Sequence, residues 1–367
     1  MDLTTAIGNA LRPALPESLA RPPSLDIRSP DLSVAAGDLD SAPPANNSVP
    51  APAPPAAGGK PVIQLAAIPV TIDPALYRNP LTSTNPGGDY RPLRAFRDLV
   101  DPVPTFSRYY APGPTSIEGA WGAFVNGASA GADTFARLAL ATAQRQFAGY
   151  ELGALSGLPD SWRPVYASPA DWYDFSVPGR FAEVEMDLSD LDTSQGPFST
   201  IPGAEFEDTL MWRMGDPAHP GSVVPLHPDT KLRSICFKAM EVTLQRPWMD
   251  FSLLQLGGIT LGGQRPGLYS SGRLDDNPGV LPLVPTSCYL AIDLQIVANW
   301  APQDTQVLED AARASTSLAL GRFALSSGLG AAPAGGMTFD QTSVSSSVVQ
   351  LIAWISALVP FCPAAPA

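Results

Sequence analysis

The chain has 367 residues and a net charge of −13, with 45% hydrophobic residues, only 16% charged residues and 41 prolines. That length allows one large β domain with appendages or two average domains, and proline at about twice its usual share excludes long helices and central strands from much of it. The charge balance excludes nucleic-acid binding through a basic patch, because the only lysines are Lys60, Lys231 and Lys238 and the arginines stand singly. It disfavours an anionic membrane surface for the same reason.

The first residues, Met1-Asp2-Leu3-Thr4-Thr5, show neither the basic nor the apolar region of a secretory signal. No run reaches the roughly 18 apolar residues of a membrane-spanning helix. The expected location is the cytoplasm or an assembled particle, with unconventional secretion left open. Leu3, Ile7, Leu11 and Leu15 recur every four residues, a short apolar helical stripe that Pro13 limits to about two turns. The stripe reads as an anchor for a partner subunit or as a frayed tail. Residues 42–60 form a Pro/Ala linker of polyproline type, and no aromatic residue occurs before Tyr77. Residues 1–60 are therefore expected to be a disordered or extended arm.

The folded body is expected to begin with a strand at Val62–Val70, followed by turns up to residue 112. Thr115 and Glu118 have the spacing of a capping box ahead of Ile117, Ala120, Trp121 and Phe124, which predicts a helix ending at Asn126-Gly127. A second helix is predicted over 132–148, with Phe135, Leu138, Ala139, Ala143 and Phe147 as its apolar face. From residue 180 the period becomes two. Ala182, Val184, Met186 and Leu188 predict one half-buried strand; Cys236, Met240, Val242 and Leu244 another; Leu290, Ile292, Leu294, Ile296 and Ala298 the cleanest. Two Ser/Thr-rich runs, 314–327 and 338–355, flank the glycine-rich stretch 328–336. Cys236, Cys288 and Cys362 lack metal-ligand spacing and are expected as buried free thiols, with a bridge between two of them left open.

Candidate chemistry is thin. Gly127-Ala128-Ser129-Ala130-Gly131 matches the nucleophile-elbow pattern, but a helix precedes it where the elbow needs a strand. The only histidines, His219 and His227, sit in proline-rich turns, and as a metal pair with Asp216 and Asp229 they lack a completing ligand. Asp187, Asp190, Asp192 and Ser194 resemble a calcium loop, yet Gln195 and Ile201 stand where that loop needs Gly and Glu. Gly257-Gly258 and Gly262-Gly263 fit no phosphate-cradling motif. No catalytic, cofactor-binding or metal residue is therefore assigned, and a non-enzyme is expected. Aromatic residues cluster with proline at Trp162, Tyr166, Trp172 and Tyr173, and again at Arg246-Pro247-Trp248. Such segments form interface anchors or pack a loop onto the core. The two Ser/Thr-rich runs are compatible with the insertion hairpin of a membrane-active β protein and equally with ordinary sandwich strands.

Tyr166-Ala167-Ser168-Pro169-Ala170-Asp171-Trp172-Tyr173-Asp174, Arg246-Pro247-Trp248-Met249-Asp250, Leu281-Pro282-Leu283-Val284-Pro285-Thr286 and the C-terminal Gln350-Leu351-Ile352-Ala353-Trp354-Ile355 through Val359-Pro360-Phe361-Cys362-Pro363 together resemble a family of β-rich bacterial and fungal proteins without an assigned activity. The likeness covers about 100–367. It implies one folded unit over that stretch and supplies no catalytic residues.

The expected fold is mainly β (α+β): an antiparallel sandwich or barrel-like body (176–367), an irregular and helical subdomain (61–175) and the proline-rich arm (1–60). The expected function is a non-enzymatic assembly or interaction protein, such as a shell, capsid-like or injection-apparatus component. Its expected partners are proteins, including further copies of itself. Leu3, Ile7, Leu11, Trp172, Tyr173 and Trp248 are the candidate interaction residues. The alternatives are a membrane-active β protein and a serine hydrolase using Ser129.

Overall fold

The computed structural model describes residues 3–11, 61–79, 84, 88–152, 162–188, 198–202, 210–216, 219–314, 316–326 and 336–363. Helix α1 (Leu3–Ala10) precedes strand β1 (Val62–Thr71). Next come α2 (Tyr90–Val100), β2 (Pro102–Pro104), β3 (Tyr109–Tyr110), β4 (Pro112–Ser116), α3 (Ile117–Gly127), β5 (Ala128–Ala130) and α4 (Thr134–Gly149). Strands β6 (Tyr166–Ser168), β7 (Ala182–Asp187), β8 (Met211–Asp216), β9 (His219–Pro225), β10 (Lys231–Gln245), β11 (Ile259–Leu261) and β12 (Leu283–Asn299) follow. The chain closes with α5 (Pro302–Ala314), β13 (Leu318–Leu320), β14 (Phe323–Ser326), β15 (Met337–Phe339), β16 (Ser343–Ser346) and β17 (Gln350–Leu358).

The fold is mainly β, with several sheets and no closed barrel. Its centre is a nine-stranded sheet in which β10 and β12 run antiparallel from Lys231↔Asn299 to Thr243↔Ser287. Beyond β12 lie β17, against Leu283–Ala291, and β16, against Leu294–Val297. Beyond β17 comes β1, which pairs in parallel with β3; beyond β10 come β7 and β6. The handover from β17 to β16 coincides with irregularity on both long strands. The β10 register shifts between Cys236 and Lys238, and Asp293 opposite it adopts φ 51°, held by Lys238 Nζ at 2.9 Å. Aspartate tolerates this left-handed backbone better than most residues, and a bulge there bends the strand.

Every residue from Gln350 to Ser356 is buried. A strand buried at consecutive positions has both faces covered, and here two different layers do it. On one face Met240, Val242, Cys288, Leu290 and Trp354 meet Phe96 and Val100 of α2, Trp121 and Phe124 of α3, and Phe147 of α4. On the other, Ile63, Ile235, Phe237, Leu294 and Ile352 meet a four-stranded sheet (β14-β13-β8-β9) through Trp212, Leu318 and Phe323, together with Leu308 of α5 and Ile7 of α1. Strands β1, β3 and β6, from the stretch 61–175, belong to the same sheet as β10, β12 and β17.

The helices differ from their sequence reading in informative ways. Ser116, not Thr115, caps α3, accepting from Gly119 N at 2.9 Å. Glu118 then serves a different purpose, accepting from Arg97 Nη2 at 2.8 Å and Arg163 Nη1 at 3.0 Å. Helix α4 begins after Asp133 and buries Ala136, Leu140, Ala143 and Phe147; Phe135 and Leu138, expected in its apolar face, are 67% and 57% exposed. The phase is set by Gly122 on α3, where even a Cβ would stand 2.7 Å from the Phe147 ring. Helices α2 and α5, where turns were expected or no element was assigned, bury Leu93, Phe96 and Val100 and Leu308 and Ala311.

Glu118 holds α2, α3 and the Trp162–Arg163 segment together through its two arginines. Breaking a largely buried pair by removing one partner leaves uncompensated charge. Glu118→Gln is therefore expected to lower unfolding free energy by about 3 kcal/mol, read as a fall in the urea midpoint at unchanged m-value.

Candidate interaction site

The described part of the stripe near the N-terminus, up to Leu11, does form a helix, and it is seated on the body. Ala6, Ile7 and Leu11 are buried in the layer that also contains Ile63, Leu65, Val184, Met186 and Leu188. Leu11 N donates to Ile7 O at 2.9 Å, extending the turn by one residue. Gly8 faces Phe198 and Ile63, to which a Cβ would stand at the contact distances of 3.4 and 3.5 Å. The Leu3 side chain and the whole of 12–60 lie outside the described residues. A free helix of eight residues is marginal in water, so burial against β1 and β7 is what stabilises α1.

The aromatic candidates are packed inside. Trp248 is fully buried, its Nε1 donating to Pro164 O at 2.7 Å while its own carbonyl accepts from Trp121 Nε1 at 3.2 Å. Trp172 is buried against Phe96 and Tyr77, with ring centroids 5.2 and 4.9 Å away. Tyr173 is partly buried and donates to Asn79 O at 3.1 Å. These three anchor loops onto the helical face of the sheet, the second of the two roles such segments take.

The same region carries an electrostatic cluster that sequence reasoning missed. Arg246 donates from Nη1 to Pro285 O at 2.6 Å and from Nη2 to Val100 O at 2.7 Å, tying the end of α2 to the start of β12. Beside it Asp101 is 2% exposed, with Oδ1 accepting from Glu118 N at 3.3 Å and Oδ2 3.8 Å from Arg97 Nε. Burial pushes its carboxyl up to about 7, against the pull of the Arg246 and Arg97 guanidiniums. Tyr110 stacks on Trp354 at 3.7 Å close by, and burial raises its hydroxyl. The only sign in the sequence was a lone Arg before Pro247-Trp248, which does not reveal that its fork meets two carbonyls.

Among the described residues, the candidate chemical residues are not brought together. Ser129 lies in the β5–β11 ribbon, its hydroxyl 3.2 Å from that of Thr260. His227 Nδ1 accepts from Asp229 N at 3.2 Å. The side chain of His219 and residues 190–194 of the acidic loop lie outside the described residues. Among the described residues no three His, Cys, Asp or Glu side chains gather into a metal site, and no helix is long and apolar enough to cross a membrane. The two Ser/Thr-rich runs do not pair with each other: β14 pairs with β13, β16 with β12 and β15, and β17 occupies the centre of the sheet. All three cysteines are free; Cys288 and Cys362 are buried, and burial pushes the Cys362 thiol up to about 12.

No family model, curated protein or solved structure matches this chain. The functional reading therefore rests on the geometry alone.

Two outcomes follow from these contacts. Ile7→Asp is expected to undock α1 while the sheet stays folded, read as loss of amide-exchange protection at residues 7–11 with unchanged exchange in β12 and β17. Asp101→Asn tests the buried carboxyl. Its folded pKa of about 7 lies above the unfolded value near 3.8, so its stabilising contribution is full below about pH 4 and is lost as pH rises to 7. Wild-type stability is expected to fall by about 4 kcal/mol more than that of Asp101→Asn across this window in paired denaturant titrations.

Proposed function

We propose that this chain is a non-enzymatic assembly protein whose N-terminal helix is a detachable tie between copies. The supporting observation is the seating of α1. Ile7 and Leu11 are buried as fully as the core, yet they reach their groove from the far side of residues 12–60. A peg on so long a tether fits the groove of a neighbouring copy as well as its own, which is the condition for exchange of an identical element. Mass action sets when exchange occurs. Because the peg belongs to the same chain as its groove, docking on its own body is intramolecular, an advantage that falls as the connection lengthens. Exchange therefore dominates where subunits are crowded or where contacts between bodies add to it, as in a shell or other closed particle.

The test is light scattering over rising protein concentration for three proteins: the full chain, a chain lacking residues 1–60 and the Ile7→Asp variant. A defined oligomer in the first and monomers in the other two is the expected result. A monomeric full-length chain at every concentration, or an oligomer indifferent to both changes, would overturn the proposal.

A further inference from the structure

Helix α4 presents an outer face that no other element covers among the described residues. Its inward positions are Ala136, Leu140, Ala143 and Phe147, so helical spacing places Leu138, Thr142 and Arg145 along the outer line, with Phe135 on one flank and Arg137 on the other. All five are exposed. Two large apolar side chains side by side on a surface helix differ from the scattered single apolar residues of an ordinary surface. The arginines are equally unusual. Arg137 Nη2 donates to Thr134 Oγ1 at 3.2 Å, and Arg145 donates to Ala141 O and Thr142 Oγ1, each at 3.4 Å. Neither meets a carboxylate among the described residues, although the chain has 35 acidic residues and 22 basic ones. The face is therefore apolar at its centre and positive at its margins, on a molecule of net charge −13.

That pattern selects its occupant. A second copy of the same face would set arginine against arginine. An anionic membrane would meet only two cations and the repulsion of the whole molecule. The complement is a short segment with apolar residues between acids and no bases, and the chain contains one: Asp31-Leu32-Ser33-Val34-Ala35-Ala36-Gly37-Asp38-Leu39-Asp40. Between Ser29 and Gly59 there is no Lys or Arg. We propose that the outer face of α4 is the docking site for residues 31–40 of the arm, with Leu32, Val34 and Leu39 on Phe135 and Leu138 and the aspartates toward Arg137 and Arg145. This reaches beyond α1 exchange and does not depend on it, because the segment can come from the same chain or from another copy.

The experiment uses the full chain carrying a photo-crosslinking amino acid in place of Leu138. After irradiation, tryptic digestion and mass spectrometry, the crosslink is expected within residues 31–40 of the Ser29–Arg78 peptide, trypsin sparing the Lys60-Pro61 bond. The band is monomer-sized if docking is within one chain and dimer-sized if between copies; either supports the proposal, and the monomer-sized case separates it from failure of the assembly reading. Arg137→Glu with Arg145→Glu is expected to cut the yield about tenfold, and adding Asp31→Lys, Asp38→Lys and Asp40→Lys to restore it. All five side chains are exposed or in the arm, so unchanged thermal unfolding serves as the control on folding. Crosslinks to any other segment, none at all, or a yield unmoved by charge reversal would overturn it.

Discussion

The structure depends on one constraint: the strands at the middle of the large sheet are apolar on both sides. β17 and the first half of β12 present buried side chains at consecutive positions, and such strands hold together only between two covers. The helices α2, α3 and α4 supply one cover and the small sheet with α5 supplies most of the other. What the second cover leaves open, over Ile63, Val184 and Met186, is closed by α1. The arm's first turns are thus part of the body's packing, and a body without them presents an apolar groove to solvent. Exposed grooves of that kind on a sheet attract whatever apolar helix is near, so α1 protects the body that it completes.

With few charges to spend, the chain places several of them inside and uses each as a fastener. Glu118 joins two arginines from different segments, Arg246 joins two carbonyls, and Asp304 accepts from Trp212 Nε1 at 2.7 Å and His227 N at 3.1 Å. The last of these fixes the start of α5 to the small sheet and to the turn before β10. Charge-assisted hydrogen bonds are stronger than neutral ones and directional, so each locks the orientation of an element that apolar packing alone would leave free to slide. Their partners lie 21 to 146 residues apart in the chain. None of them was visible as a motif for that reason.

Legibility followed the strength of local periodicity. β7 and the second half of β12 alternate cleanly because one of their faces is solvated, and both were read from residues 182–188 and 290–298. The first half of β12 and β17 offer no period, since both faces are buried. Helix α4 was found but turned about its axis. Phe135 and Leu138 are the larger apolar residues, yet tertiary packing chose the line of Ala136, Leu140, Ala143 and Phe147, where small side chains let α4 approach Gly122. Helix α2 was lost to Pro92, which stands in its first turn where proline is tolerated. For the candidate site, the stripe Ile7–Leu11 was legible as apolar spacing, but spacing cannot say which surface receives it. Trp172 and Trp248 illustrate the converse: proline-flanked tryptophans read alike whether they face a partner or a core.

Charge sets the conditions under which copies of this chain approach one another. Each copy carries −13, so a neutral apolar contact such as that of α1 must act against long-range repulsion. The repulsion is screened within a Debye length, about 8 Å at physiological salt. The seating of α1 uses no ion pair among the described contacts, whereas the face of α4 offers Arg137 and Arg145. Added salt therefore acts on the two in opposite directions: it relieves the repulsion that opposes exchange of α1 and weakens any carboxylate contact made by the arginines. An assembly held by the helix alone would tighten monotonically with ionic strength. One that also uses the α4 face would pass through an optimum, since the arginine contacts fade while screening of the net charge approaches its limit. The shape of that dependence distinguishes apolar tying from charge pairing without any change to the sequence.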